Sequence, residues 1–582
     1  MNNTINTFLH TEAPINHQQQ PVQTDTGIFT PKHDGVYFEG FGRDGQPLPE
    51  KRICSLLKVV ADTRTVQGNG WGILLEWRDS DNREQRWAMP KRLLSDGGAE
   101  IAGELLDRGL WIAPNKRNKV LEYITATRTT KRITCTDRTG WHGQAYVTPE
   151  RVYGLDGDQY IYQAEGVGID SIMSTTSTLV DWQNAVARYA VGNARLMFAI
   201  ATAFAGTLVT PANVESGGFH LVGGSSSGKT TAQRAAASVW GQPDTFKRSW
   251  RSTANGLEGI ASLHNDNLLI LDEISEMNSK DASETAYMLG NGQGKTRSNK
   301  NGSTRPTKTW KTLFLSSGEV TLQTLVNEDN GKRRVKAGQE VRIADINADA
   351  GKDWGIFESL HHFPSSAALA DHLRYATNQH YGTAGIQWLD MLTKHYSQWH
   401  QTLQESIAQF CKSVLPPNVS GQANRVARRF GLVAVAGELA TQYGITGWQQ
   451  GQATQAAQHC FNDWLAQFGK GNREDKQIMD AVMSFLERNP ARFQDLNLVS
   501  PLPVIDRVGF IRNKQGDTEY IIPARQLERL AEGFSSNQIA QVLQKFGLLN
   551  EPDKEGKNAI KMRLAELGSI RCYIITTNQY LN

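Results

Sequence analysis

Apolar and polar positions divide this chain into stretches of different rhythm. Up to about Asp34, large apolar residues are sparse among Asn, Gln and Thr. Such a stretch buries too little to offset its ordering entropy, which predicts a disordered tail over residues 1–34. From Gly35 to about Asp170 short alternating runs dominate. GVYFEGF, ICSLLKVVADTR, GWGILLEWRD, QRWAMP, YITATRT and YVTPERVYG read as strands, and GAEIAGELLDRGL as a helix. This predicts a mixed α+β domain over 35–170 with a mostly antiparallel sheet. After MSTTST, which reads as a linker, helices alternate with continuous apolar strands. That is the signature of an α/β domain with a parallel sheet, over 180–364. Residues 365–470 are helical throughout, and ANRVARRFGLVAVAGELATQYG ends near Gly444. In 471–582, KQIMDAVMSFLERNP and SNQIAQVLQKFGLL read as helices, RVGFIRNKQGDTEYIIP as a hairpin, and IKMRL and IRCYIIT as strands. Helices followed by a two-stranded ribbon predict a winged-helix-like module. The fold class is therefore α/β and multidomain.

Composition adds limits. Over 582 residues, 39% hydrophobic and 21% charged is an ordinary globular balance. The net charge of +3 is too small to argue for nucleic acid, so local clustering matters more. The five cysteines are dispersed without CxxC spacing, which argues against a zinc ribbon and fits a reducing compartment. No secretory signal opens the chain. The longest apolar run, Leu196 to Val209, is too short to span a bilayer and reads as a buried helix. The expectation is a soluble cytoplasmic protein.

The chemistry begins at GGSSSGKTT, residues 223–231. A Gly/Ser linker has this composition, and so does a phosphate cradle. The stretch follows the strand FHLV, precedes the helix TTAQRAAASVW, and matches G-x-x-x-x-G-K-[ST] at Gly223, Gly228, Lys229 and Thr230. Glycines let amides curl around phosphates, and the helix N-terminus adds positive potential. Gly223, Gly224, Ser225, Ser226, Ser227, Gly228, Lys229, Thr230 and Thr231 are thus candidates to hold ATP. Lys229 would meet the β- and γ-phosphates, and the Thr230 hydroxyl would ligate Mg²⁺. About forty residues on, the apolar strand in NDNLLILDEIS ends at Asp272 and Glu273. Asp272 is the second candidate for the metal and Glu273 for polarising the attacking water. The alternative is a core strand ending in two solvated acids. Ser316 or Ser317, at the tip of TLFLSSGEV, is a candidate γ-phosphate sensor, with Ser317 preferred; a plain turn residue is the other reading.

Between the acids and that strand, Gly294 to Lys311 carries six Lys/Arg and no carboxylate. It reads as a hairpin with a basic tip, and Lys295, Arg297, Lys300 and Arg305 are candidates to track a DNA backbone. A solvated basic face is the alternative. Downstream, Arg342 is the candidate arginine finger, with a structural ion pair as its rival. Arg425, with Arg428 and Arg429 competing, is the candidate second sensor.

LVGGSSSGKTT, NGLEGIASLHNDNLLILDE, NGQGKTR, LSSGE, AGQEVRIADI and ARRFGLVAVAGELAT together resemble the bacterial family called domain of unknown function nine-two-seven. The resemblance extends from about Gly35 to the C-terminus and includes GWGILLEWRD and RTGWHG. That family is similar to AAA+, MCM-like helicases of phages, plasmids and integrated elements. The resemblance implies a homo-hexameric ring around single-stranded DNA, with the basic hairpin lining the channel, replicating a mobile element. The C-terminal module would hold duplex DNA or a partner, and any primase would be a separate chain. A serine where such enzymes more often carry asparagine is the one departure. The alternative function is an AAA+ switch that assembles on ATP and recruits a partner without unwinding DNA.

Overall fold

The alternation in VQT and GIFTPK builds strands at Val22–Thr24 and Gly27–Lys32, inside the stretch expected to be disordered. Phe29 accounts for the difference: it is fully buried against Phe38 and Tyr123, and that burial outweighs the polar composition around it. The chain is described here from a computed structural model covering residues 20–95, 97–163, 173–296, 307–327, 341–417, 419–468, 473–498, 504–514, 516–550, 558–564 and 567–577.

The N-terminal region contains an antiparallel four-stranded meander from Val22 to Cys54. Beside it lies a mixed five-stranded sheet ordered 160–162, 132–136, 57–64, 72–78, 84–90. Helices Ala99–Asp107 and Arg117–Ala126 bury one face of these sheets. The second helix corrects the reading of YITATRT as a strand. Val120, Tyr123 and Ile124 recur at helical spacing and are all buried, so packing overrides the β-branched composition. YVTPERVYG forms part of a small three-stranded sheet, Gly140–His142, Ala145–Val147 and Val152–Tyr153.

The central region follows the α/β expectation. The expected buried helix is α1 (Ala194–Ala205), buried at every position from Arg195 onward. Five strands follow: β1 (Gly217–Val222), β2 (Arg248–Ser249), β3 (Asn267–Asp272), β4 (Thr312–Gly318) and β5 (Ile343–Asn347). All pair in parallel, in the order β2-β3-β4-β1-β5. Leu268 to Leu271 of β3 are fully buried, each side chain contributing roughly 1.5–3 kcal/mol. Helix α2 (Lys229–Ala237) follows β1. The helical region begins with α3 (Ser366–Gln379) and includes α4 (Gly421–Gln442) and α5 (Gln452–Phe468), which pack with α1 in one continuous core with the sheet.

The C-terminal region contains helices Arg473–Arg488 and Ser536–Lys545 and a five-stranded sheet in which Gly509–Lys514 and Asp517–Pro523 form the expected hairpin. Ile560–Leu564 and Gly568–Thr576 pair as the late ribbon. No helix among the described residues is long and apolar enough to cross a membrane.

Candidate nucleotide site

β1 ends at Val222 and the chain turns through Gly223–Gly228 into α2. Gly228 has φ +89°, and a Cβ there would meet Ile356 Cγ2 at 2.6 Å, so both conformation and space demand glycine. The loop is braced from outside: Gly223 N–H donates to Gly318 O, and Ile356 N–H donates to Ser227 O. Among the described residues, no hydrogen bond uses the amides of Gly224 to Gly228. A row of unspent donors at a helix N-terminus is the chemistry a polyphosphate requires.

Lys229 sits at the first position of α2 and is 7% exposed. Its Nζ donates to Gly223 O and Gly224 O, both at 2.7 Å, and lies 3.3 Å from Ser227 Oγ. A buried ammonium facing only neutral oxygens keeps its charge available for an anion. Gly224, Ser225, Ser226 and Thr230 are exposed, and Thr231 is half-buried.

Opposite stand the two acids. β3 and β1 are not neighbours, because β4 lies between them, and Ser317 at the tip of β4 bridges to the acid strand. Its Oγ donates to Asp272 Oδ1 at 2.7 Å and accepts from Glu273 N–H at 3.3 Å. Glu273 has φ +54°, a left-handed conformation a bulky residue rarely adopts. Ser275 Oγ donates to Glu273 Oε1 at 2.5 Å. The side chains of successive strand residues point to opposite faces, which separates the two serines. Ser316 Oγ accepts from Trp250 Nε1 and donates to His220 Nδ1, both at 2.8 Å. His220 Nε2 donates to Val320 O at 2.9 Å. Burial pushes the His220 imidazole down to about 4, so it stays neutral and structural.

Lys247, which no sequence motif singled out, places its Nζ 2.5 Å from Asp272 Oδ2. A lone lysine in TFKRSW carries no spacing signal. The loop after β5 was missed too: Ala348 N–H donates to Val222 O, and Ile356 packs on the cradle. Arg195 was likewise silent. Buried at 3% exposure, it donates to Asn347 O and Asp463 Oδ2 and lies 3.4 Å from Glu358, tying α1, the β5 loop and α5 together.

The arginines fall elsewhere. Gly218 N–H, at the start of β1, donates to Arg342 O, so Arg342 lies at the end of the sheet away from the cradle. Its guanidinium donates to Asn291 and sits 4.4 Å from the Tyr287 ring centre. Arg429, 3% exposed, donates to Arg342 O at 2.8 Å and to Val341 O. Arg425 lies one helical turn earlier on α4, exposed. The structure therefore does not bring Arg425 to this chain's own cradle, because helix α4 meets the far end of β1 and β5.

The two ends of the basic stretch pair: Gln293 bridges Thr309, and Gly294 N–H donates to Lys308 O at 2.9 Å. Buried Trp310 anchors its base through Nε1 to Leu289 O. Lys295 pairs with Glu284 at 2.7 Å on an exposed face. Arg297, Lys300 and Arg305 lie outside the described residues.

The N-terminal region is fastened to this core through RTGWHG. Arg138 Nη2 donates to Asn265 Oδ1 at 2.8 Å, Trp141 Nε1 to Thr207 O at 2.7 Å, and Tyr146 OH to Asp266 O at 2.5 Å. Gly140 has φ +94°, and a Cβ there would meet Asp266 Oδ2 at 2.5 Å.

Comparison with known proteins agrees with this arrangement. Residues 29–309 match the family described as Domain of unknown function (DUF927), and residues 474–579 match the Cch helix turn helix domain. No curated protein matches the chain. Among solved structures, "SCCmec type IV Cch - active helicase" shares the fold with a TM-score of 0.68 at 18% identity, over 94% of this chain and 96% of that one. The DUF927 match over residues 29–309 runs from the first sheet past the cradle and the paired acids.

Proposed function

We propose that the protein is an ATP-dependent DNA helicase or translocase of the AAA+ type, working as a homo-hexamer in the replication of a mobile element. The observation that carries this is the pairing of unspent P-loop amides and buried Lys229 with a serine-bridged acid pair, in a fold shared over nearly its whole length with a protein titled an active helicase. The helix-turn-helix match at the C-terminus supports a DNA contact there.

In this reading Lys229 exchanges its neutral oxygens for phosphate oxygens, and the amides of Gly224 to Gly228 receive the rest of the anion. The donor set fits Mg²⁺, since the exposed Thr230 hydroxyl and Asp272 offer the hard oxygens such an ion takes. When bound, the ion would neutralise phosphate charge. Glu273, with its backbone set by Ser317, orients and polarises the attacking water. Arg342 faces away from its own cradle, so a finger role requires a neighbouring subunit. The basic hairpin from Gly294, including Lys295, would grip DNA inside the ring, and its motion would follow the nucleotide state.

The test is ATP hydrolysis with and without single-stranded DNA, for the wild type beside Lys229→Ala and Glu273→Gln. Hydrolysis that rises with DNA and falls at least ~100-fold in both variants supports the reading. Hydrolysis indifferent to DNA favours the switch that assembles on ATP and recruits a partner. No hydrolysis in the wild type overturns the enzyme reading.

A further inference from the structure

Trp71, at the mouth of the mixed N-terminal sheet, is 40% exposed and joins none of the buried clusters among the described residues. Its ring is nonetheless fixed. Nε1 donates to Gly68 O at 3.0 Å, and its carbonyl accepts from Lys91 N–H at 2.9 Å. Three cations surround it: Lys91 Nζ at 5.5 Å from the ring centre, Arg132 at 5.8 Å and Arg64 at 5.9 Å. One carboxylate offsets them. Asp62 pairs with Lys91 at 2.8 Å and with Arg132 at 3.1 Å, while Arg64 has no carboxylate partner among the described residues. Arg128 and Lys131, both exposed on the segment leading into Arg132, extend the positive surface. The register explains the convergence. Asp62 lies opposite Arg132 across the parallel pair, and Gly72 lies opposite both Thr63 and Pro90.

Like charges gathered around an exposed ring repel one another and cost stability unless something occupies them. An aromatic platform rimmed by cations takes a ligand with a planar ring and an adjacent anion. An acidic peptide answers the charge but leaves the indole unused. Duplex DNA answers the charge but keeps its bases stacked away from the ring. We propose that the surface around Trp71, Arg64, Lys91 and Arg132 is a single-stranded DNA contact of the N-terminal region, separate from the nucleotide core. Bases pack on Trp71 and phosphates on the cations. This rests on the DNA reading above only in its choice of polymer.

The test uses the full chain without nucleotide and a fluorescein-labelled oligothymidylate of about 30 nucleotides, with a duplex of equal length as comparison. Trp71→Ala and the surface change Arg64→Glu should each weaken single-strand binding about tenfold, and Arg64→Glu should flatten its salt dependence. Trp71→Phe should restore most of the affinity. Basal ATP hydrolysis, whose residues lie elsewhere, should be unchanged and reports that the variants are folded. Unaltered affinity in both variants overturns the proposal and leaves the helicase reading standing. Equal weakening for the duplex, or wild-type chain that binds no single strand, also overturns it. Weakened binding in a chain whose hydrolysis ignores DNA would uphold this surface while the helicase reading fails.

Discussion

Lys247 sets its ammonium 2.5 Å from Asp272 Oδ2, on the carboxylate we propose as a ligand of Mg²⁺. In that reading two cations compete for one acid. Both side chains are about a fifth to a quarter exposed, so solvent screening limits the pair to about 1 kcal/mol. Lys247→Ala should lower the Mg²⁺ concentration that half-saturates ATP hydrolysis about fivefold, since 1.4 kcal/mol is tenfold. Titrating Mg²⁺ at fixed ATP reads this directly. An unchanged midpoint would mean that Lys247 leaves Asp272 before the metal arrives.

Ser316 and Ser317 are neighbours with different duties. Ser317 Oγ joins Asp272 to the Glu273 amide, whereas Ser316 joins His220 to Trp250. Ser317→Ala should leave stability within about 1 kcal/mol and cut the hydrolysis rate at saturating ATP about tenfold, by releasing both acids. Ser316→Ala should do the reverse. It strands a buried indole N–H and a buried imidazole nitrogen, costing about 2 kcal/mol of stability with the rate little changed. Urea midpoints and steady-state rates on the same preparations separate the two.

The cradle was legible because its geometry is local: strand, glycine turn and helix are consecutive, so spacing alone carries the information. The acids were legible because an apolar strand must end somewhere, and ending on Asp272 and Glu273 is itself a signal. Ser317 was placed correctly at the strand tip, but its bridge to both acids depends on β4 lying beside β3, which no spacing reveals. Lys247 and Arg195 act through partners 25 or more positions away, as Arg195 does with Asp463, and a single lysine or arginine has no period to read. The second N-terminal helix was misread because Tyr, Ile and Thr favour strands intrinsically, while its burial at Val120, Tyr123 and Ile124 is set by the sheets beneath it.

Arg429 and Arg425 are one turn apart and should behave differently. Arg429 is buried, its charge desolvated enough to bring its pKa down to about 10, and it serves the carbonyls of Val341 and Arg342. Arg429→Met should destabilise the chain by about 3 kcal/mol, because those buried carbonyls lose their donor. Arg425→Ala, on the exposed face, should stay within about 0.5 kcal/mol. The dissociation constant for ATP in the isolated chain should be unaffected by Arg425→Ala, and a tenfold loss would return Arg425 to the nucleotide site.

His220 and His264 give the fold a defined response to acid. Burial holds both imidazoles down to about 4, against about 6.5 when exposed. His264 Nδ1 donates to Ile260 O at 2.9 Å, and its Nε2 meets no partner among the described residues. Between these pH values the unfolded chain binds protons that the folded chain refuses, so stability rises with pH across that window. The histidine contribution is fully present above about 6.5 and drains away as the pH falls toward 4, by roughly 3 kcal/mol for each ring. Asp266 runs the other way. Desolvation lifts its carboxyl to about 6, so below that pH the folded chain takes up a proton that the unfolded chain does not yet bind, and stability is regained as the pH falls from 6 to about 4. One carboxyl offsets roughly one imidazole, leaving a net loss of about 3 kcal/mol. Urea midpoints measured from pH 7.5 to 4.5 should fall from about 6.5 downward, and the fall should shrink in His220→Asn, which removes one of the two rings. A stability that held flat, or rose, on acidification to pH 5 would show that these imidazoles are solvated in the folded chain.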